Sequence, residues 1–215
     1  MKKTIIFILL SIYGQLVFAD ISPEVRQLQD EWAQIKYKTP AKEQEQKYKN
    51  LIGEAEQLVA KNPKDADALI WEGIIRSTYA GVEGGLGALG DVKKAKKLFE
   101  KSIKLDPDAL DGSAYTSLGS LYYLVPGWPL GFGDNKKAEE MLKMGLQHNP
   151  DGIDPNYFYG DYLKTIKNYT EALAALQKAL QAPGRPGREV ADEGRRTEIQ
   201  ADITEIKKLV DKKGT

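Results

Sequence analysis

The chain has 215 residues, with 31 Lys and Arg against 31 Asp and Glu, one His and no Cys. With no Cys it can form neither disulfides nor Cys-based zinc sites, and thiolate chemistry is excluded. The balanced charge gives no electrostatic reason to bind DNA, RNA or an anionic membrane.

Lys2 and Lys3 precede a mostly apolar run, Thr4 to Phe18, which ends in Val17-Phe18-Ala19. A basic start, a short apolar stretch and a small residue at the boundary form a secretory signal peptide, cleaved between Ala19 and Asp20. The alternative is an uncleaved anchor, but the stretch is short for a span and Gly14 and Gln15 interrupt it. The mature chain then carries 29 basic and 31 acidic residues. It is expected in the periplasm or secreted, with no membrane insertion after cleavage.

Residues 24–38 and 41–61 follow as a helix pair within a segment spanning 20–63, with Leu51, Ala55 and Leu58 in core positions of its second helix. This pair is expected to cap the structure that follows. Self-similarity begins next. Gly90-Asp91-Val92-Lys93-Lys94-Ala95 is echoed by Gly133-Asp134-Asn135-Lys136-Lys137-Ala138. Each leads into an amphipathic helix, and the helices stop at Leu105-Asp106-Pro107-Asp108 and His148-Asn149-Pro150-Asp151, with an earlier stop at Lys61-Asn62-Pro63-Lys64. The stop prolines lie 44 and 43 residues apart. A period of that size marks stacked repeats rather than a single globular layer.

Tyr115-x2-Leu118-Gly119-x2-Tyr122, Ala95-x3-Phe99 with Pro107, and Ala138-x3-Leu142 with Pro150 carry the signature of the tetratricopeptide repeat, and the chain resembles that family over most of residues 64–182. The resemblance implies an all-α solenoid of helical hairpins. Gly73, Gly119 and Gly160 would sit at close helix crossings, opposed by Ala95, Ala138 and Ala172. Three repeats span 64–183, at about 65–107, 108–150 and 151–183. The first two exceed the period of about 34 residues by about 9–10, mostly between their two helices. The turn Ala182-Pro183-Gly184-Arg185-Pro186-Gly187 cannot be helix. Within the last segment, 184–215, residues 189–212 form a C-terminal capping helix, with Ile199, Ile203, Ile206, Leu209 and Val210 at helical spacing.

The two insertions, Tyr79–Gly90 and Tyr123–Gly133, are expected to be paired loops on one rim, with Asp91 and Asp134 capping the helices after them. Trp128, Phe132, Leu86 and Leu89 are the candidate anchors there. The competing reading buries Trp128 and uses the loops to seal helix ends. Gly85-x-Gly87-x-x-Gly90 has the spacing of a dinucleotide fingerprint but lacks the preceding strand that fingerprint needs.

The family alignment also points to a concave groove. Its wall would carry Asp67, Ile70, Ile74 and Ser77, then Ser113, Thr116, Ser120 and Tyr123, then Asp154, Tyr157, Asp161 and Lys164. Such a groove is mildly polar, aromatic and slightly acidic. It suits another protein, an extended peptide, or a small solute with hydroxyls or positive charge. The basic group of a chain-terminus clamp is missing from those positions. His148 is placed to complement a helix C-terminus. Arg185, Arg188, Arg195 and Arg196 are expected to pair with Glu189, Asp192 and Glu193.

These features give a binding scaffold or adaptor, with no catalytic residues, cofactor or metal expected. The chain is also similar to the periplasmic T-component proteins of TRAP transporters, in repeat architecture and in its Gly-Asp-led helices. That similarity implies a solute-binding accessory. Many of those proteins are lipid-anchored, and this chain has no Cys to carry a lipid. A third reading, a hydrolase using Asp154, Asp161 or Glu83, has no supporting constellation.

Overall fold

The computed structural model describes residues 21–85 and 87–211. The proposed signal peptide and Leu86 lie outside the described residues. Within them the chain forms α-helices and no strand.

Helices α1 (Pro23–Lys38) and α2 (Ala41–Lys61) form the N-terminal pair. Ser22 starts α1 by accepting a hydrogen bond from the Val25 amide, with Pro23 in its first turn. Three further hairpins follow: α3 (Ala66–Glu83) with α4 (Ala88–Leu105), α5 (Ala109–Leu124) with α6 (Asn135–His148), and α7 (Ile153–Thr165) with α8 (Tyr169–Gln181). The Asn-Pro and Asp-Pro stops fall where the sequence places them: Asn62, Asp106 and Asn149 are the C-caps of α2, α4 and α6.

Within each hairpin a glycine of the first helix faces a large side chain of the second. A Cβ on Gly73 would lie 2.4 Å from the Phe99 ring, one on Gly119 2.7 Å from Leu142, and one on Gly160 2.8 Å from Leu176. Phe99, Leu142 and Leu176 each stand one turn after a fully buried alanine: Ala95, Ala138 and Ala172. The repeat signature is thus a packing instruction. The glycine admits the helix, the alanine keeps it close, and the larger residue fills the space the glycine leaves.

The two insertions are accommodated differently. In the first repeat the excess becomes helix: α3 and α4 each run 18 residues, against 13 each for α7 and α8. Tyr79 and Ala80 are buried, so continuing the helix covers apolar surface; α3 runs to Glu83 and α4 begins at Ala88. The expected pair of long loops is therefore a short turn and one true loop, residues 125–134. Asp134 caps α6, accepting from the amides of Lys136 and Lys137. Asp91 does not cap. It lies inside α4, and its carboxylate pairs with the buried guanidinium of Arg76, which also binds Glu72 and Glu56.

The first helices of the hairpins stand side by side, α1 on α3, α3 on α5 and α5 on α7, with α2, α4, α6 and α8 outside them. Helix α9 (Glu189–Asp211) does more than cap α8. It packs on α8, α7 and α1, so α1, α3, α5, α7 and α9 close a ring. Gly194 makes the last crossing possible, since a Cβ there would lie 2.2 Å from the Tyr37 ring of α1. Ile199, Ile203 and Ile206 bury against the repeats, while Ala191 joins the second core cluster, made with α1, α2 and α3.

Candidate functional site

Ring closure converts the expected groove into a partly open cavity of about 490 Å³. Every inner helix contributes to its wall. Trp32 and Lys36 come from α1, and Trp71, Ile74, Ser77 and Thr78 from α3. Ser113, Thr116 and Ser120 come from α5, Asp154 and Phe158 from α7, and Arg185, Arg188 and Arg195 from the last turn and α9.

The groove residues inferred from the sequence divide into two groups. Ile74, Ser77, Ser113, Thr116, Ser120 and Asp154 line the cavity. Ile70 is fully buried in the core. Asp67 sits near Asp65 and Asp106, where burial and those two charges raise its carboxyl to about 6. Tyr123, Asp161, Tyr157 and Lys164 hold the ring together. The Tyr123 hydroxyl donates to Asp161 at 2.7 Å. Lys164 bridges to Asp202 and Glu205 of α9 and to Asp161. Tyr157 stacks under the Arg195 guanidinium, 4.2 Å from its ring centroid. Its neighbour Phe158 reaches the cavity instead.

The expected character of this surface changes with the ring. The sequence suggests a slightly acidic groove. The structure places five cationic side chains, Arg26, Lys36, Arg185, Arg188 and Arg195, in a wall with three carboxylates, Asp111, Asp151 and Asp154. Asp154 is shared by Arg185 at 2.7 Å and Arg195 at 2.8 Å. Burial alone would raise its carboxyl, but the two guanidinium groups outweigh it and hold the group well below the usual carboxylate range. Arg195 also binds Glu198 at 2.6 Å, and Glu198 accepts from Tyr37 and pairs with Lys36 at 3.0 Å. Burial, then repulsion from Arg195, lowers the Lys36 ammonium to about 8 against the pull of Glu198. Arg196 turns away from this network and donates to the carbonyls of Leu180 and Ala182, closing the end of α8.

Sequence reasoning missed Trp32, Lys36 and Trp71. Their signal was present as two tryptophans and a lysine on apolar helix faces. Only the return of α9 onto α1 gives those faces a common interior. The floor also includes Leu110 and Asp111, whose backbones lie in the left-handed region at φ 48° and 55°. Such conformations are costly for residues with a Cβ and persist where surrounding packing imposes them. His148 supports the adjoining segment, with its ring stacked on Tyr115 and its Nδ1 2.9 Å from Asp108.

The second candidate surface is the 125–134 loop. It is tied down by its own backbone: the Gly133 amide donates to the Pro126 carbonyl at 3.0 Å and the Asp134 amide to Tyr122 at 2.8 Å. Phe132 is half-buried edge-on against Tyr122, and the Lys96 ammonium of α4 lies 5.8 Å from its ring. Leu89 is half-buried against the same core. Trp128 is 90% exposed, so it seals nothing, and Leu124 and Leu130 are each 62% exposed beside it in the chain. Among the described residues no cluster of His, Cys, Asp and Glu could hold a metal ion, and no helix is long and apolar enough to cross a membrane.

Residues 86–109 and 153–183 match the family model for the tetratricopeptide repeat. The α5–α6 hairpin between them keeps the same glycine-to-leucine packing but carries the long loop that breaks the period. Among curated proteins, no sequence matches the chain. Solved structures of similar course include MamA from Desulfovibrio magneticus, at 15% identity, covering 91% of this chain and 100% of that one, TM-score 0.45. A thermophilic tetratricopeptide-repeat protein of Thermus thermophilus also aligns, at 15% identity, covering 84% of this chain and 99% of that one, TM-score 0.44.

Proposed function

The chain is a tetratricopeptide-repeat protein, and on that premise we propose that it is an exported binding scaffold that docks a protein partner through the loop between α5 and α6. The observation that carries this reading is Trp128. A tryptophan 90% exposed at the tip of a loop fixed by its own backbone is a large apolar side chain held ready for a partner. Aromatic anchors of this kind carry a disproportionate share of interface energy, and a loop ordered before contact loses little entropy on binding. Leu124 and Leu130 extend the apolar tip, and Lys136 and Lys137 flank it. The fitting partner is a protein with an apolar pocket and an acidic rim.

We place docking at this loop rather than in the groove, since α9 packs on α1, α7 and α8 and narrows the concave face. Export rests on residues 1–19. Amino-terminal sequencing of the protein from a periplasmic fraction should begin at Asp20.

Docking is tested by immobilising wild-type and Trp128→Ala chains and exposing both to an extracytoplasmic extract. A partner held by wild type and lost from the variant, with unchanged melting temperatures, is the expected result. Retention of the same proteins by both chains would remove the loop from the account. One observation favours a second reading, a solute-binding accessory of a transporter: the cavity is of ligand size and has several polar groups among aromatic walls.

A further inference from the structure

The cavity contains two polar groups that the protein leaves unanswered. The indole Nε1 of Trp71 and the guanidinium Nε of Arg188 are both buried without a hydrogen-bond partner among the described residues. Trp71 is 3% exposed, and the Arg188 guanidinium carbon lies 5.0 Å from its ring centroid. A buried donor without an acceptor is destabilising, and more so when charged. Both residues belong to the cavity lining, where an entering acceptor would answer these donors.

The sign of the missing group follows from the surroundings. Arg185 and Arg195 are already engaged by Asp154, Asp192 and Glu198, and Lys36 by Glu198. Burial, followed by repulsion from Arg185, pushes the Arg188 guanidinium below its ordinary value even with Asp154, Asp192 and Asp30 acting the other way. Arg188, unlike Arg185 and Arg195, forms no direct ion pair among the described residues. Beyond the arginines the lining is aromatic and aliphatic: Trp32, Trp71, Ile74, Phe99 and Phe158. Among the hydroxyls, Ser77 donates its proton to the Gly73 carbonyl and Ser120 to that of Ser117, so each has lone pairs left to offer.

We propose that the cavity binds a small organic acid, its carboxylate received by Arg188 and the Trp71 indole, its apolar body against the aromatic wall, and a hydroxyl of the ligand donated to Ser77 or Ser120. The proposal rests on the solute-binding reading above and names the ligand class. It reverses the preference for positive charge that the sequence alone suggests. Arg188 is the residue that sets the preference, because Arg185 and Arg195 are committed to carboxylates of the protein.

The test uses the mature, ¹⁵N-labelled chain and three probes of one shape: 4-hydroxybenzoate, 4-hydroxybenzamide and 4-hydroxybenzamidine. The three tryptophans give three indole N–H resonances, with Trp128 outside the cavity as an internal control. Saturable movement of the Trp71 resonance by 4-hydroxybenzoate, with Trp128 unmoved and the amide and amidine at least tenfold weaker, is expected. Arg188→Gln should abolish the difference between acid and amide, whereas Arg188→Lys should keep its sign. Equal or tighter binding of the amidine would overturn the proposal and leave solute binding standing. If no probe moves the Trp71 resonance, both fall. Neither result touches the docking role of Trp128.

Discussion

At the scale of single residues, the repeat is held by contacts too tight for substitution. Gly73→Ala places a methyl group against the Phe99 ring and should cost about 1–3 kcal/mol, read as a lowered midpoint of urea unfolding. Gly53, in α2, has open space where a Cβ would go. Gly53→Ala should therefore stabilise the chain by about 0.5–1 kcal/mol, the intrinsic helical advantage of alanine. Opposite signs at two helical glycines would separate packing from propensity. Asp154 is a second sensitive position. Asp154→Asn removes the negative charge shared by two guanidinium groups and one of its two acceptor oxygens, and should cost about 2–3 kcal/mol. Because its carboxyl is held down in the folded state, this contribution is present above the unfolded carboxylate range and disappears as pH falls towards the folded value. The wild-type chain should thus lose stability below about pH 4 more steeply than Asp154→Asn, in parallel acid titrations followed by circular dichroism. The glycines were legible in the sequence because the repeat spacing fixes them. The Asp154 network was not, because its partners lie 31 and 41 residues along the chain.

At the scale of elements, the order of helices and their stops could be read from amphipathic spacing and prolines. Their lengths at the insertions could not. Both insertions are rich in glycine, yet the first is taken up by α3 and α4 because Tyr79 and Ala80 have a core to enter. The second contains Pro126 and Pro129 and stays a loop. Proline is the stronger punctuation, since glycine weakens a helix whereas proline removes a donor and blocks a turn. Contacts between elements also govern pH behaviour. The Lys36 ammonium of α1 faces Arg195 and Glu198 of α9 and is lowered to about 8, so above that value the unfolded chain binds more protons than the folded one. Stability should therefore rise between about pH 8 and 10 and level off as the unfolded lysine also titrates. Lys36→Met should flatten this rise in denaturant midpoints measured across the window. A wild-type curve flat over the same interval would place Lys36 in water rather than against α9.

At the scale of the whole molecule, the capping helix determines what kind of site the protein has. Read as a terminal cap, α9 would leave the concave face open to an extended peptide. Packed against α1 as well as α7 and α8, it walls one side of a partly open cavity and brings arginines into it. Nothing in the local pattern of residues 189–211 distinguishes these outcomes, because an apolar stripe specifies burial and not the neighbour that provides it. Gly194, seated on Tyr37, has an identity that matches the second arrangement. Closure also separates the two proposed functions in space, with a solute inside the ring and a protein partner at the loop tip outside it.

Ring closure is tested most directly by proximity between α1 and α9. Lys38 and Glu193 form an ion pair of 2.8 Å across that junction, both side chains are substantially exposed, and the chain has no cysteine to interfere. The Lys38→Cys, Glu193→Cys double variant, treated with a short bismaleimide, should cross-link within one chain under native conditions and fail to do so in urea. Full labelling of both cysteines by a monofunctional maleimide, with no native cross-link, would show that the ring is open and the cavity absent.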